Sequence, residues 1–156
     1  MRWPGYGGSA TVVIPVAPGA WPPPAAAVVV AGVRFEPKRE LHVTVVGKAL
    51  GARLRERCDE GEVAAAFAAQ DWSFQRTRRL LHVRRVVDGA TEQSLIERIA
   101  QPAMAMFHAV LSRLLGEALP VPPPHVTLYV AGTDEGIGLP DEAALARWIV
   151  GEIRLP

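Results

Sequence analysis

The stretch "PPPHVTLYV", residues 122–130, decides how this chain is read. Its three prolines impose an extended approach, because each fixes φ and lacks an amide donor. Behind them an aliphatic, strand-like run carries a histidine and a threonine two places apart. Side chains alternate faces along a strand, so His125 and Thr127 point one way while Val126 and Leu128 point the other. Such a strand has one face for a core and one face that displays a titratable ring and a hydroxyl. The same tetrad recurs in "LHVTVVG", residues 41–47, where His42 and Thr44 share a face against Val43 and Val45. With four histidines and six threonines in the sequence, two such His-x-Thr pairs arise by chance in roughly 1% of cases.

Working outward, proline punctuates the chain. "WPPP" (21–24) and "PVPPP" (120–124) read as stiff, extended connectors. "ATVVIPV" (10–16) reads as an edge strand, since Pro15 removes a ladder donor. An extended piece is expected within "AAVVVAGVRF" (26–35), and "ELHVTVVG" is a strand ending at Gly47. Helical patterning follows from Leu50 to Gln70, broken near "DEG" (59–61), with the alanine-rich "EVAAAFAAQ" a strong helix former. "WSFQRTRRLLHVRRVV" (72–87) reads as two strands or one long bent strand, "DGATEQ" as the turn, and "SLIERIA" (94–100) as the returning strand.

A helix from Leu95 to Leu114 would hold Pro102 in its interior, at a cost of about 3 kcal/mol. Placing Pro102 in the first turn of a helix that runs to about Leu115 removes that cost. This helix is expected to bury Ala103, Met106, Phe107, Val110, Leu111 and Leu114 on one stripe, with His108 at the surface. A glycine-rich loop, a short helix from about Asp141 and a last strand in "GEIRLP" complete the chain. The order predicts one α+β domain over residues 1–156, built of two similar strand-plus-helix halves that own one tetrad each.

Composition narrows the partners. Seventeen basic and sixteen acidic side chains give a net charge of +1. Gripping long duplex DNA or RNA needs a marked basic excess, so duplex binding is not expected, whereas a nucleotide or an RNA end is compatible. The five arginines of "RTRRLLHVRR" (76–85) fit a solvated strand face or a local phosphate contact. The longest apolar run, "AAAVVVAGV" (25–33), is too short for a bilayer, and "MRWPGYGGS" lacks the order of a secretory leader. No membrane partner, a cytoplasmic location and a monomer are expected. A single cysteine, Cys58, excludes an intrachain disulfide and a cysteine-based zinc cluster.

Two imidazoles and two hydroxyls converging on one cleft suit phosphodiester cleavage without a metal or other cofactor. One ring takes a proton from the attacking oxygen while the other gives one to the leaving oxygen, and both protonation states are populated near neutrality. Threonine hydroxyls can donate to the non-bridging phosphate oxygens. A metal site built on the two histidines lacks ligands, since no carboxylate or thiolate stands in either motif. A non-catalytic module that binds phosphorylated RNA or nucleotide ends is the competing class. Binding alone, however, does not require a paired acid and base.

Two copies of H-x-T-aliphatic, 83 residues apart, resemble the two-histidine (2H) phosphoesterase superfamily, and the resemblance spans nearly the whole chain. "ELHVTVVG", the "HVRR" strand and "PPPHVTLYV" followed by "GIGLP" look like its Swiss Army Knife RNA repair-like subgroup. The resemblance implies two pseudo-symmetric lobes of antiparallel strands flanked by helices, with both motifs in a central cleft. It makes His42 and His125 the catalytic pair, with His125 as base and His42 as acid, and gives Thr44 and Thr127 the phosphate. The implied activity is hydrolysis of 2′,3′-cyclic phosphates on RNA ends or small nucleotides, in RNA repair or processing. The reverse, ligase-like joining would use the same groups.

Glu40, on the His42 face by alternation, would favour the protonated acid. Tyr129 shares the face of His125 in an unbulged strand, where it can contact a base or phosphate, or simply pack at the cleft edge. Arg84 is the favoured arginine of its run for a phosphate, for which a guanidinium fork is suited. His82 shares its face but has no threonine two places on, which fits a structural or solvent-facing ring.

Overall fold

A computed structural model describes residues 1–155. Strands β1 (Val12–Pro15), β2 (Val28–Val30), β3 (Val33–Pro37) and β4 (His42–Val46) come first, then helices α1 (Lys48–Arg57) and α2 (Glu60–Ala68). Strands β5 (Gln75–Val87) and β6 (Ala90–Ala100), helix α3 (Ala103–Leu115), strand β7 (His125–Ala131), helix α4 (Glu142–Trp148) and strand β8 (Ile149–Ile153) follow. Among the described residues this is an α+β chain with one antiparallel eight-stranded sheet, and no helix is long and apolar enough to cross a membrane.

Local chemistry sets the longest ladder. Asp88 and Gly89 adopt positive φ, 50° and 78°, the two-residue turn whose twist matches paired strands. Val87 therefore pairs with Ala90, and β5 and β6 zip together as far as Gln75 and Ala100. The returning strand starts four residues earlier than expected, because the turn uses only "DG" and leaves "ATEQ" to the ladder. Residues 75–87 form one strand with an irregularity between Arg76 and Leu80, where Arg78 takes φ 60°. A second tight turn, at Ala31 and Gly32, converts the single extended piece expected over 26–35 into the β2–β3 hairpin.

The sheet runs β1-β4-β7-β6-β5-β8, with β3 pairing β7 and β2 pairing β3. β7 thus has β6 along one side and two strands in succession along the other: β4 at Val126, then β3 at Tyr129 and Val130. One face packs on α1, α2 and α3 in the main core, which includes Val43, Leu95, Val126 and Tyr129 with Leu54, Phe67, Phe107 and Leu111. The other face carries a smaller cluster of Leu81, Val83, Ile96, Ile137, Leu139 and Leu145, where α4 and the loop before it settle.

Helix α3 begins after Pro102 and ends at Gly116 in a left-handed cap, as its proline and glycine dictate. Its buried stripe is rotated from the expected one. Met104, His108 and Leu115 are buried, whereas Met106 is exposed. The surface position expected for His108 is therefore wrong: the ring is 1% exposed, and its Nε2–H donates to the Val45 carbonyl at 2.8 Å. The reason lies in β4. Val12 pairs with Val46 and Val13 with Thr44, so Val45 bulges out of register. A buried carbonyl without a ladder partner needs a donor from elsewhere, and His108 supplies it.

Candidate active site

The two tetrads lie on adjacent strands. β4 and β7 share one paired position, Val43 opposite Val126, and both valines are fully buried on the helix side. Paired residues face the same side of a sheet and their chain neighbours face the other. His42 and Thr44 therefore stand on the opposite face, together with His125 and Thr127. Extending the register sets His42 across from Thr127 and Thr44 across from His125. The two histidines are diagonal neighbours, a relation with side-chain roots about 7 Å apart. All four residues are half-buried.

Backbone groups hold this arrangement. His125 Nδ1–H donates to the Pro123 carbonyl at 2.7 Å, leaving Nε2 as the nitrogen available for chemistry. The proline run gives that carbonyl a rigid, extended seat. After β7 the chain folds back over the same face: Ile137 N–H donates to Ser94 Oγ at 3.3 Å, and Ile137 and Leu139 bury in the smaller cluster. Between them and β7, Gly136 passes so near Thr127 that a Cβ would lie 2.6 Å from Oγ1. Lys38, after β3, closes the other end; its amide donates to Leu128 O at 2.8 Å and its Nζ to Asp134 O at 2.9 Å.

Both rings are biased toward the neutral form. Burial lowers the proton affinity of His125, the Pro123 hydrogen bond opposes this, and the positive charges of Arg98 and His42 add to the lowering. Burial also lowers that of His42, with Lys38 as the second cause. Glu40 does act on His42 in the expected direction, as does Glu135, but burial and Lys38 outweigh them.

Two expected contacts fall elsewhere. Tyr129 pairs with Leu95 while Thr127 pairs with Ile96, so Leu128 is an extra residue in β7. This bulge shifts the alternation by one, and Tyr129 turns away from Thr127 into the main core, 7% exposed. Arg84 pairs with Gln93 on β5, on the face that also carries His82 and Leu95. It is exposed on the side of the sheet away from the histidines, two strands from β7. His82 is buried on that face, its Nε2–H donating to Gln93 Oε1 at 2.7 Å and its ring edge-on to Phe35.

The arginine on the histidine face is Arg98, paired directly across from His125. Its guanidinium is held by Glu142 of α4, with Nη1 donating to Oε2 at 3.1 Å and Nη2 to Oε1. Sequence reading passed over it because "ERI" offers an acid and a base side by side. Alternation separates Glu97 from Arg98, but only the register shows that it is Arg98 that shares the histidine face. Glu97 is buried under Arg76, whose Nε and Nη2 both donate to it. Lys38 was missed for a related reason: it lies outside every strand and reaches the site through a loop contact.

Among the described residues, no three His, Cys, Asp or Glu side chains gather in a metal-binding group. The chain matches no family model, no curated protein and no solved structure.

Proposed function

We propose that this protein is a metal-independent phosphoesterase of the two-histidine kind, acting on RNA ends or small nucleotides and opening 2′,3′-cyclic phosphates in RNA repair or processing. The observation that supports it is the Val43–Val126 register, which gathers His42, Thr44, His125 and Thr127 on one face of two adjacent strands. Two pseudo-symmetric lobes, each a motif strand with its helices, belong to the same proposal.

His125 is the base. Its Nδ1–H is committed to Pro123, and burial favours a neutral ring with a free Nε2 lone pair. It takes a proton from water as the water oxygen bonds to phosphorus. The bond from phosphorus to the 2′ or 3′ oxygen breaks, and His42 gives its proton to that leaving oxygen. One water is consumed; His125 ends protonated and His42 neutral, and exchange with solvent resets the pair. An anionic phosphate beside His42 restores the proton affinity that burial removes, so the acid is charged when substrate is bound. Thr44 and Thr127 donate to the non-bridging oxygens, where charge builds in the transition state.

The test is turnover of cyclic mononucleotides and of RNAs with cyclic phosphate ends, in excess chelator. His42→Ala and His125→Ala should each lower turnover by ~10²–10⁴-fold. The double variant should lose less than the product of the two single effects, because the rings act as a unit. Near-wild-type turnover by either single variant would refute the assignment.

A further inference from the structure

We propose that Arg98 is the specificity residue of this site, binding a second phosphate of the substrate beside the cyclic one. The inference rests on the phosphoesterase reading and narrows its substrate class to nucleotides or RNA ends that carry a phosphate in addition to the reacting one.

Across the histidine face the strand order is β4, β7, β6, so His42 and Thr44 come first, His125 and Thr127 next, and Ile96 with Arg98 last. Strands lie about 4.8 Å apart, which puts the root of Arg98 roughly 7 Å from the midline between β4 and β7 where the reacting phosphate sits. That offset is of the order of the spacing between neighbouring phosphates on a nucleotide chain. A guanidinium fork is matched to a phosphate and cannot serve as the proton donor, so Arg98 duplicates neither histidine.

The present partner of Arg98 is a carboxylate on the solvent side of the pair. The Glu142 side chain is 57% exposed against 26% for Arg98, so the carboxylate end of this two-bond pair is open to solvent and to exchange for another anion. Glu142 opposes the effect of Arg98 on His125. A substrate phosphate that takes the place of Glu142 brings the same negative charge, so the base keeps its balance when Arg98 changes partner. Glu142 is thus a stand-in for the substrate's second anion.

The test compares kcat/KM for three substrates: a 2′,3′-cyclic mononucleotide, the same molecule with a 5′-phosphate, and a dinucleotide ending in the cyclic phosphate. Wild type should favour the two substrates with a second phosphate by about 10- to 100-fold, the worth of one charge-assisted hydrogen bond. Whichever of the two is preferred identifies the second anion as a terminal monoester or an internal diester. In Arg98→Met the ratio should fall to near one; as a ratio, it is insensitive to general damage at the site. Glu142→Gln, which frees Arg98, should keep the ratio or raise it. A wild-type ratio near one, a wild-type ratio retained by Arg98→Met, or a collapse in Glu142→Gln would each overturn the proposal. If wild type opened none of the three, the phosphoesterase reading would fall as well, whereas equal opening of all three would sink this inference alone.

Discussion

Replacing His108 by leucine probes a ring that sits outside the site yet holds one of its strands. The wild-type ring donates from Nε2 to Val45 O at 2.8 Å, while its Nδ1 is buried without a partner. Leucine deletes the donor and leaves a buried carbonyl unpaired, a loss of about 1–3 kcal/mol. For a domain of this size each kcal/mol lowers Tm by roughly 2–4 °C. The pH dependence is the sharper test. Burial holds the His108 proton affinity below its ordinary value, with the Val45 bond acting the other way. The unfolded chain therefore binds this proton at a higher pH than the folded one. The stability tied to the neutral ring is complete above the ordinary histidine range and is lost as pH falls toward the depressed folded value. The slope is at most about 1.4 kcal/mol per pH unit. His42 and His125 titrate in the same direction, but they are present in both proteins and cancel in the difference. Denaturant titration followed by the fluorescence of Trp72, stacked on Phe67 and edge-on to Phe107, gives both stabilities. His108→Leu should be the less stable protein at about pH 8, by a margin that narrows toward about pH 5. A margin that stays constant or widens in acid would refute this account of His108.

Lys38→Met should move the alkaline limb of the kcat/KM profile to higher pH. Lys38 lowers the proton affinity of His42, so its removal lets the acid keep its proton longer; movement of the acid limb instead would exchange the roles of the two histidines. Gly136→Ala places a Cβ 2.6 Å from Thr127 Oγ1 and should lower turnover by displacing the hydroxyl, as Thr127→Val should by removing it; unchanged kinetics in Thr127→Val would show that Thr127 takes no part. Arg84→Ala should leave kcat/KM within about twofold, the expectation for an exposed residue away from the site.

The element plan was legible wherever a single local rule governed. Period-two alternation marked β4 and β7, Pro102 set the start of α3, and the burial of Val43 and Val126 against the polar side of their strands followed from the tetrads themselves. What escaped the sequence were one-residue offsets. An extra Leu128 in β7 inverts Tyr129, and an extra Val45 in β4 creates the need that buries His108. Bulges of this kind carry no signature of their own, because they arise from pairing between distant segments. The faces of β5 were read correctly as alternating, but which face met the histidines depended on register across three strands. Arg84 was therefore favoured where Arg98 stands.

One rung, Val43 with Val126, is the only register that β4 and β7 share among the described residues. Each strand is held chiefly from its other side: β4 by β1 and by His108 at Val45, β7 by β6, with β3 further along. Tilting β5 against β6 would break a long ladder, whereas parting the motif strands breaks a single step of one. The separation of the two motif strands is thus fixed by far less direct pairing than that of β5 and β6. In hydrogen exchange, the amides around this rung should open at a lower cost than those between β5 and β6. Val43 and Val126 both lie in the main core, so any parting of the two motif strands is resisted by that buried contact more than by ladder hydrogen bonds.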